Sequence, residues 1–162
     1  MTSPANDDRF YRRPLRLDRL FAKVDPFYFV TFKTAARQRI LAHPEIHDAF
    51  RAFCVAAYQK YNIAVGTYVI MPDHVHLFVA LPREGMTVSR WIQSLRSLVG
   101  KELLRIGIQK PHWQEGFFDH VLRSSESYSE KWDYVRMNPV RAGLCARPEQ
   151  WAYQGEIMRV EY

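Results

Sequence analysis

The chain has 162 residues, 48% of them hydrophobic, and its 23 Lys and Arg exceed its 17 Asp and Glu, which gives a formal net charge of +6. This composition excludes a mostly disordered chain and is typical of one folded domain. The basic balance fits nucleic acid, another polyanion or an anionic membrane surface and does not choose among them. No segment approaches the about 20 apolar residues of a membrane span and the polar start has no signal-peptide pattern, so we expect a cytoplasmic protein with no membrane partner.

Residues 1–20 differ in composition from the rest of the chain. They contain "RFYRRPLRLDRL", in which arginines surround Pro14. Two interpretations stay open, a loosely ordered terminus and a basic arm that contacts phosphate. We therefore divide the chain into a basic N-terminal arm (1–20), one domain (21–145) and a C-terminal tail (146–162).

The domain itself has alternating strand and helix signals. Runs of β-branched and aromatic residues predict strands over 26–34, 63–70, 74–82 and 112–123, and apolar residues three or four apart predict helices over 43–62, 87–107 and 124–144. Pro72 predicts a turn that joins the second and third strands into a hairpin. This βαββαβα order predicts an α+β fold, a ferredoxin-like or RRM-like α/β sandwich with a central antiparallel sheet and helices on one face.

Two histidines, His74 and His76, flank Val75 in the apolar run "TYVIMPDHVHLFVALP". Side chains two positions apart on a strand share a face, so both imidazoles project together and Val75 lies on the other face. Two neutral imidazoles in this arrangement supply half of a metal site. Two hydrogen-bonded structural histidines fit the spacing as well. His112 and His120, on the next predicted strand, are candidates for a further ligand.

The segment "DYVRMNP" offers a second kind of chemistry. Tyr134 and Asn138 share a helix face if the helix continues to Asn138, although Pro139 must end, kink or restart it. An amide oxygen can ligate a hard divalent cation, and a tyrosine hydroxyl becomes a nucleophile when its proton is removed. The chain has nine tyrosines, so spacing alone leaves a structural role for Tyr134 open.

Three segments, "YVIMPDHVHLFV", "FFDHVLR" and "DYVRMNPVRAGL", together closely resemble the single-tyrosine HUH transposases of the IS200-like family, most of all their REP-associated tyrosine transposase branch. HUH denotes His, a bulky hydrophobic residue and His, which residues 74–76 fit. The resemblance covers roughly residues 25–155, and three motifs in the right order are far more specific than the histidine pair alone. It implies the HUH nuclease form of the sandwich fold.

The resemblance also implies an activity. Such enzymes are metal-dependent endonucleases and strand-transferases that cut single-stranded DNA at hairpin-flanked sites. The implied metal ligands are His74, His76 and Asn138, and the implied catalytic residue is Tyr134, which attacks the phosphodiester to give a 5′-phosphotyrosine intermediate and a free 3′-OH. The expected metal is Mg²⁺ or Mn²⁺, with Ni²⁺ or Zn²⁺ able to occupy the site. The expected partner is single-stranded DNA with a hairpin (a palindromic repeat), bound by a nucleoid-associated monomer or homodimer.

Two more residues have open roles. Tyr128 is a rival nucleophile, since some HUH enzymes use two tyrosines, but it lies six residues before Tyr134, about 120° away around a helix. We favour Tyr134 because Asn138 shares its face. His120, in "FFDHVLR", belongs to a family motif and is interpreted either as structural or as a residue that supports the metal ligands.

Basic residues are the expected DNA contacts, because they neutralise phosphates and make binding salt-dependent. The candidates are Arg12, Arg13, Arg90, Lys101, Arg105, Arg123, Arg136 and Arg141. Exposed aromatic residues such as Tyr11 or Trp113 could stack on unpaired bases. A solvated basic surface is the alternative for many of them.

Two other functions are compatible with the sequence. A domesticated regulator would bind hairpin DNA without transposition activity, although the intact His74, His76, Tyr134 and Asn138 argue against it. A metallohydrolase built on the histidine pair would act without Tyr134, but its amidohydrolase version needs a barrel of about 250 residues, more than this chain has.

Overall fold

The computed structural model describes residues 25–159 and the backbone of residues 15–16, apart from the side chains of residues 125 and 126. Two 3-10 turns occur at Ala35–Arg37 and Pro148–Gln150. The other elements are β1 (Leu15–Arg16), β2 (Phe27–Lys33), α1 (Pro44–Tyr61), β3 (Ala64–Ile70), β4 (His74–Ala80), α2 (Val88–Arg105), β5 (Phe118–Leu122), α3 (Ser125–Val135), α4 (Asn138–Arg141), β6 (Gln154–Glu156) and β7 (Met158–Arg159).

A five-stranded antiparallel sheet of order β5-β2-β4-β3-β6 forms the centre of the fold. The hairpin of β3 and β4 turns at residues 71–73, where Pro72 cannot donate a ladder hydrogen bond. From β2 to β5 the chain follows the predicted βαββαβ path, with β2 and β4 in the middle of the sheet. The predicted α+β sandwich with a central antiparallel sheet is therefore confirmed, and β6 adds a strand at the edge of β3.

Helices cover both faces of the sheet, where we expected one. On one face, Phe50 of α1 packs on Tyr68, with ring centres 4.7 Å apart. On the other, Tyr128 and Trp132 of α3 pack on Phe78, at 4.8 and 6.4 Å. Residues 77–80 of β4 are buried at every position. Such a strand has two apolar faces, and each must be covered.

Two predicted elements are shorter in the structure. The strand predicted over 112–123 begins only at Phe118, because Gly116 adopts φ +71° and turns the chain before it. The helix predicted over 124–144 begins at its Ser124 cap but is interrupted after Val135. Pro139 has no N–H to donate to the Val135 carbonyl, so the α-helical ladder stops there and α4 starts at Asn138.

The two ends of the chain are described to different extents. Arg12, Arg13 and Tyr11 of the N-terminal arm lie outside the described residues. In the tail, β6 pairs with β3, and the Trp151 indole N–H donates to the Ile70 carbonyl at 3.0 Å. Among the described helices, none has the length and apolar character needed to cross a membrane.

Candidate active site

His74 and His76 project from β4 on the face of the sheet that α3 covers. Their ring centres are 4.7 Å apart and the ring planes meet at 85°. His76 is level with Thr31 on β2 and Val69 on β3, near the end of the sheet where the β3–β4 hairpin turns. Val75, between them, is only 3% exposed. The two imidazoles therefore lie side by side at the head of the central strand.

A carboxylate fixes the first imidazole. Oδ1 of Asp73 is 2.7 Å from Nδ1 of His74, and Oδ2 of Asp73 accepts from Nε of Arg37 at 2.7 Å. Burial alone would raise the pKa of Asp73, but its hydrogen bonds and its attraction to His74 and Arg37 lower it below its usual range. An ionised carboxylate only accepts, so Nδ1 of His74 carries the proton and Nε2 keeps its lone pair.

A hydroxyl and a phenyl ring fix the second imidazole. Oγ1 of Thr31 is 2.7 Å from Nδ1 of His76, and the Phe29 ring is stacked on the imidazole with centres 5.6 Å apart and planes 14° apart. If the hydroxyl accepts from Nδ1–H, Nε2 of His76 also presents a lone pair. Within the described residues, Nε2 of neither histidine makes a hydrogen bond.

Both imidazoles are neutral near pH 7. Burial lowers the pKa of His76 to about 3, and repulsion from His74 when it is protonated, from Lys33 and from Arg141 acts in the same direction. Burial also lowers the pKa of His74, although Asp73 opposes it. A neutral imidazole is the form that binds metals.

These contacts fit a metal site. Histidines that ligate a metal through one nitrogen commonly donate the other N–H to a carboxylate or another oxygen, as Asp73 and Thr31 permit here. Within residues 25–159, no group of three or more His, Cys, Asp and Glu could hold a metal ion. A third ligand from these residues would therefore be of another type, such as the amide oxygen of Asn138.

Tyr134 reaches the same face of the sheet from α3. It is 67% exposed. A cleft of about 320 Å³ is lined by Phe29, His76, Glu130, Lys131, Tyr134 and Val135. Burial of Tyr128, Trp132 and Val135 against the sheet holds α3 in place. The packing of one helix thus brings the predicted nucleophile and a predicted metal ligand to one cleft.

Asn138 lies beyond the helix break, on α4. Arg136 and Met137 keep right-handed helical backbone angles, so the chain continues in nearly the same direction. Nη2 of Arg141 donates to the Tyr134 carbonyl at 2.7 Å and also to Oδ1 of Asn138. The two residues are therefore joined through one guanidinium and not by a continuous helix.

A family model described as "Transposase IS200 like" matches residues 25–136, from just before β2 to just past α3. The chain belongs to the IS200-like transposase family. The matched range includes the histidine pair, the strand β5 and Tyr134.

Individual relatives place this IS200-like transposase nearer to one branch. It is 27% identical to the REP-associated tyrosine transposase of Escherichia coli (strain K12) over 90 residues. The matched region covers 55% of this chain and 52% of that relative. It is 25% identical over 119 residues to a relative from Haemophilus influenzae, 67% of this chain and 65% of that one. The chain thus spans between half and two thirds of these curated relatives. The predicted resemblance to REP-associated tyrosine transposases is confirmed.

A solved structure supports the fold of the transposase. It is described as a REP-associated tyrosine transposase bound to a REP hairpin, and it superposes with a TM-score of 0.61 at 22% identity over 85% of this chain and 80% of that one. At that identity, the likeness shows the shared fold.

The structure places the two other candidate histidines differently. His112 is 4% exposed and its Nε2 is 2.9 Å from the Ile108 carbonyl, under α2. His120 is exposed on β5 and pairs in register with Phe29 of β2. It therefore lies on the same sheet face as His76, but two strands away, and its register partner on β2 is two residues before that of His76. A supporting role for His120 stays a prediction.

The rival nucleophile Tyr128 is turned into the protein. Its hydroxyl is 2.9 Å from Oγ1 of Thr67, and its ring packs on Phe27 and Phe78. Burial raises the pKa of Tyr128, although the bond to Thr67 opposes this. Buried contacts of this kind suit a structural tyrosine, whereas Tyr134 is exposed.

The structure divides the predicted DNA-binding residues into separate groups. Arg90, Lys101 and Arg105 are exposed on α2, on the sheet face opposite the cleft. Arg123 follows β5 at the far end of the sheet, and Arg136 bonds Asp133 at 3.1 Å. Of the described candidates, Arg141 is the one in contact with Tyr134 and Asn138.

Sequence reasoning missed two residues beside the cleft and overvalued a third. Phe118 is 56% exposed on β5, level with Thr31 and His76, and its ring is 6.4 Å from Phe29. Nζ of Lys131 lies 5.2 Å from the centre of the Phe29 ring. Trp113, in contrast, donates its indole N–H to the Arg96 carbonyl and packs on Phe32, so it is not presented to bases.

Proposed function

We propose that this IS200-like transposase cuts and rejoins single-stranded DNA beside a hairpin, through Tyr134. One observation carries the proposal: Tyr134 and His76 line the same cleft. In it, an exposed hydroxyl lies on the sheet face where two neutral imidazoles direct lone pairs. A phosphate bound between them would meet a nucleophile on one side and the metal ligands on the other.

The proposed reaction is a transesterification. The Tyr134 oxygen attacks the phosphorus and gives up its proton, so an O–P bond forms while the bond to the 3′ oxygen breaks and that oxygen takes up a proton. The products are a 5′-phosphotyrosine and a free 3′-OH. Because one phosphoester replaces another, a second 3′-OH can reverse the reaction and join a new strand without an external energy source.

His74 and His76 would hold a divalent cation, with Asn138 as third ligand. Mg²⁺ or Mn²⁺ is the proposed physiological metal, and the two imidazoles also suit Ni²⁺ or Zn²⁺. Bound there, the metal supplies Lewis-acid polarisation of the scissile phosphate. Asp73 and Thr31 hold the two rings in orientation, and Phe29 shields one side of His76 from water.

Hairpin DNA is the proposed partner. The support is the fold shared with a structure described as bound to a REP hairpin, together with a net charge of +6. Tyr134 and His76 of the same chain line the cleft, so the proposed active form is a monomer or a homodimer. Binding would be salt-dependent, because cationic side chains replace counterions on phosphate.

The test is formation of a covalent adduct. Wild type is incubated with a labelled single-stranded oligonucleotide that carries a palindromic hairpin and flanks, with Mg²⁺ or Mn²⁺, and is analysed on a denaturing gel. We expect an adduct with wild type and with Tyr128→Phe, and none with Tyr134→Phe, whose affinity for the uncut hairpin stays near that of wild type. Hairpin binding without any adduct, across a set of hairpins and flanks, would support the domesticated regulator. Metal-dependent cleavage that survives Tyr134→Phe would point to a metallohydrolase.

A further inference from the structure

Arg141, at the end of α4, makes three contacts that converge on the proposed site. Its Nη2 donates to the Tyr134 carbonyl and to Oδ1 of Asn138. Its Cζ lies 4.0 Å from the centre of the Tyr134 ring, the distance of a cation–π contact. Its charge is also felt by His76, whose pKa is lowered first by burial and then by several cations that include Arg141. One guanidinium thus connects the nucleophile, the amide and the histidine.

The contact with Asn138 conflicts with metal binding. Oδ1 is the atom through which an asparagine ligates a hard cation, since its NH₂ group only donates. In the structure, this oxygen accepts from Arg141. A divalent cation in its place would repel the guanidinium, so the two cations compete for one oxygen.

We propose that Arg141 has two positions and that the second one is catalytic. Without metal, it holds Oδ1 of Asn138 and the Tyr134 carbonyl. When Asn138 turns Oδ1 to the metal, the guanidinium is released and binds the non-bridging oxygens of the phosphate that Tyr134 attacks. The second position rests on the proposed cleavage through Tyr134, whereas the exchange at Asn138 does not.

The chemistry of the side chain fits the second position. A guanidinium presents N–H groups in a planar fork that matches two phosphate oxygens, which an ammonium cannot do. From its place over the Tyr134 ring, it is next to any phosphate within reach of that hydroxyl. Stabilisation of the negative charge that develops on the phosphorane oxygens is the main way in which arginines accelerate phosphoryl transfer.

The exchange at Asn138 is tested by calorimetric titration of the full chain with Mn²⁺ in the absence of DNA. We expect Arg141→Met to bind Mn²⁺ roughly tenfold more tightly than wild type, because the competing hydrogen bond is lost. Lys33→Met is the matched control. Burial and His74 are the two largest causes of the lowered pKa of His76, and Lys33 comes next, ahead of Arg141. Lys33→Met removes a positive charge that acts on His76 as that of Arg141 does, and it should tighten Mn²⁺ binding by less than about threefold at physiological salt.

Asn138→Ala completes the cycle. In that background, the gain from Arg141→Met should shrink to the size of the Lys33→Met gain, because no amide oxygen is left to release. The exchange is overturned if Arg141→Met gains as much Mn²⁺ affinity in the Asn138→Ala background as it does when Asn138 is present. It is also overturned if Arg141→Met, with Asn138 present, gains no more Mn²⁺ affinity than Lys33→Met.

The phosphate contact is tested in single turnover at saturating Mn²⁺. We expect Arg141→Met to slow formation of the Tyr134 adduct by roughly 100-fold and Arg141→Lys by less, with a much smaller effect on affinity for the uncut hairpin. An unchanged rate in Arg141→Met overturns the catalytic position. If wild type forms no adduct, the proposed function and this position fail together, while the Mn²⁺ cycle still decides the exchange at Asn138.

Discussion

The carboxylate of Asp73 and the imidazole of His74 are neighbours in sequence and are joined side chain to side chain at 2.7 Å. A residue and its successor on a strand normally point to opposite faces. Asp73 is an exception because it lies in the turn before β4 and not on the strand, so its carboxylate can contact Nδ1 of His74. The same carboxylate binds Arg37, so the turn, the histidine and the segment after β2 are tied together.

The first prediction concerns this carboxylate. We expect Asp73→Asn to weaken Mn²⁺ binding by about 10- to 100-fold, because the amide no longer holds the imidazole with a full negative charge. Asp119→Asn, an exposed acid on β5, is the control and should leave the affinity unchanged. Calorimetric titration measures both. Equal Mn²⁺ affinity in Asp73→Asn and wild type would show that the carboxylate does not support a metal ligand.

The second prediction concerns base stacking on Phe118. Stacking of a base on an aromatic ring contributes about 1–3 kcal/mol, so Phe118→Ala should weaken binding of a hairpin with a single-stranded flank by about 5- to 150-fold. Fluorescence anisotropy measures the affinity of wild type and Phe118→Ala for hairpins with and without the flank. The two proteins should bind the hairpin without a flank equally well. Tyr61→Ala is the control, because Tyr61 is 57% exposed, against 56% for Phe118, but lies at the end of α1. An equal loss in both variants contradicts a stacking site on β5.

The third prediction concerns acid stability and His47. Its Nε2 is 2.8 Å from the Tyr68 hydroxyl, which also accepts from Nη1 of Arg51 at 2.9 Å. The phenol proton is therefore donated to neutral His47. Burial lowers the pKa of His47 to about 4, with Arg51 acting in the same direction and Asp48 opposing it.

A histidine whose pKa is lower in the folded state takes up its proton more readily when unfolded. Its contribution to the free energy of unfolding is complete above about pH 6.5 and is lost as the pH falls toward 4, by at most about 1.4 kcal/mol per pH unit. Urea unfolding between pH 7 and pH 4.5 measures it. His47→Gln should give a flatter pH dependence than wild type. The same slope in both proteins would mean that His47 contributes nothing to acid destabilisation.

The sequence was sufficient for the order of elements from β2 to α3 and for the histidine pair, because both depend on local periodicity. An i, i+2 pair on a strand must share a face, and the run around His74 and His76 is too apolar to be a loop. Phe118 and Arg37 could not be placed in the same way. Their roles depend on which strand lies beside which, and that register is set by contacts between distant segments.

The helix break shows a different limit. Pro139 made an interruption near Asn138 predictable, but not the direction of the chain after it. The residue that bridges the break, Arg141, looked like any other surface arginine in the sequence. Its contacts with Tyr134 and Asn138 exist only because residues 136–137 keep nearly helical backbone angles across the break.

The packing of α3 on Phe78 also has a consequence for the order in which the protein is made. A ribosome releases the histidine pair well before it releases α3, so a nascent chain contains both imidazoles before it contains Tyr134. The cleft is completed only when Tyr128 and Trp132 reach the sheet. A prematurely terminated product that ends before α3 would therefore keep the proposed metal ligands of β4 but lack the proposed nucleophile, Tyr134.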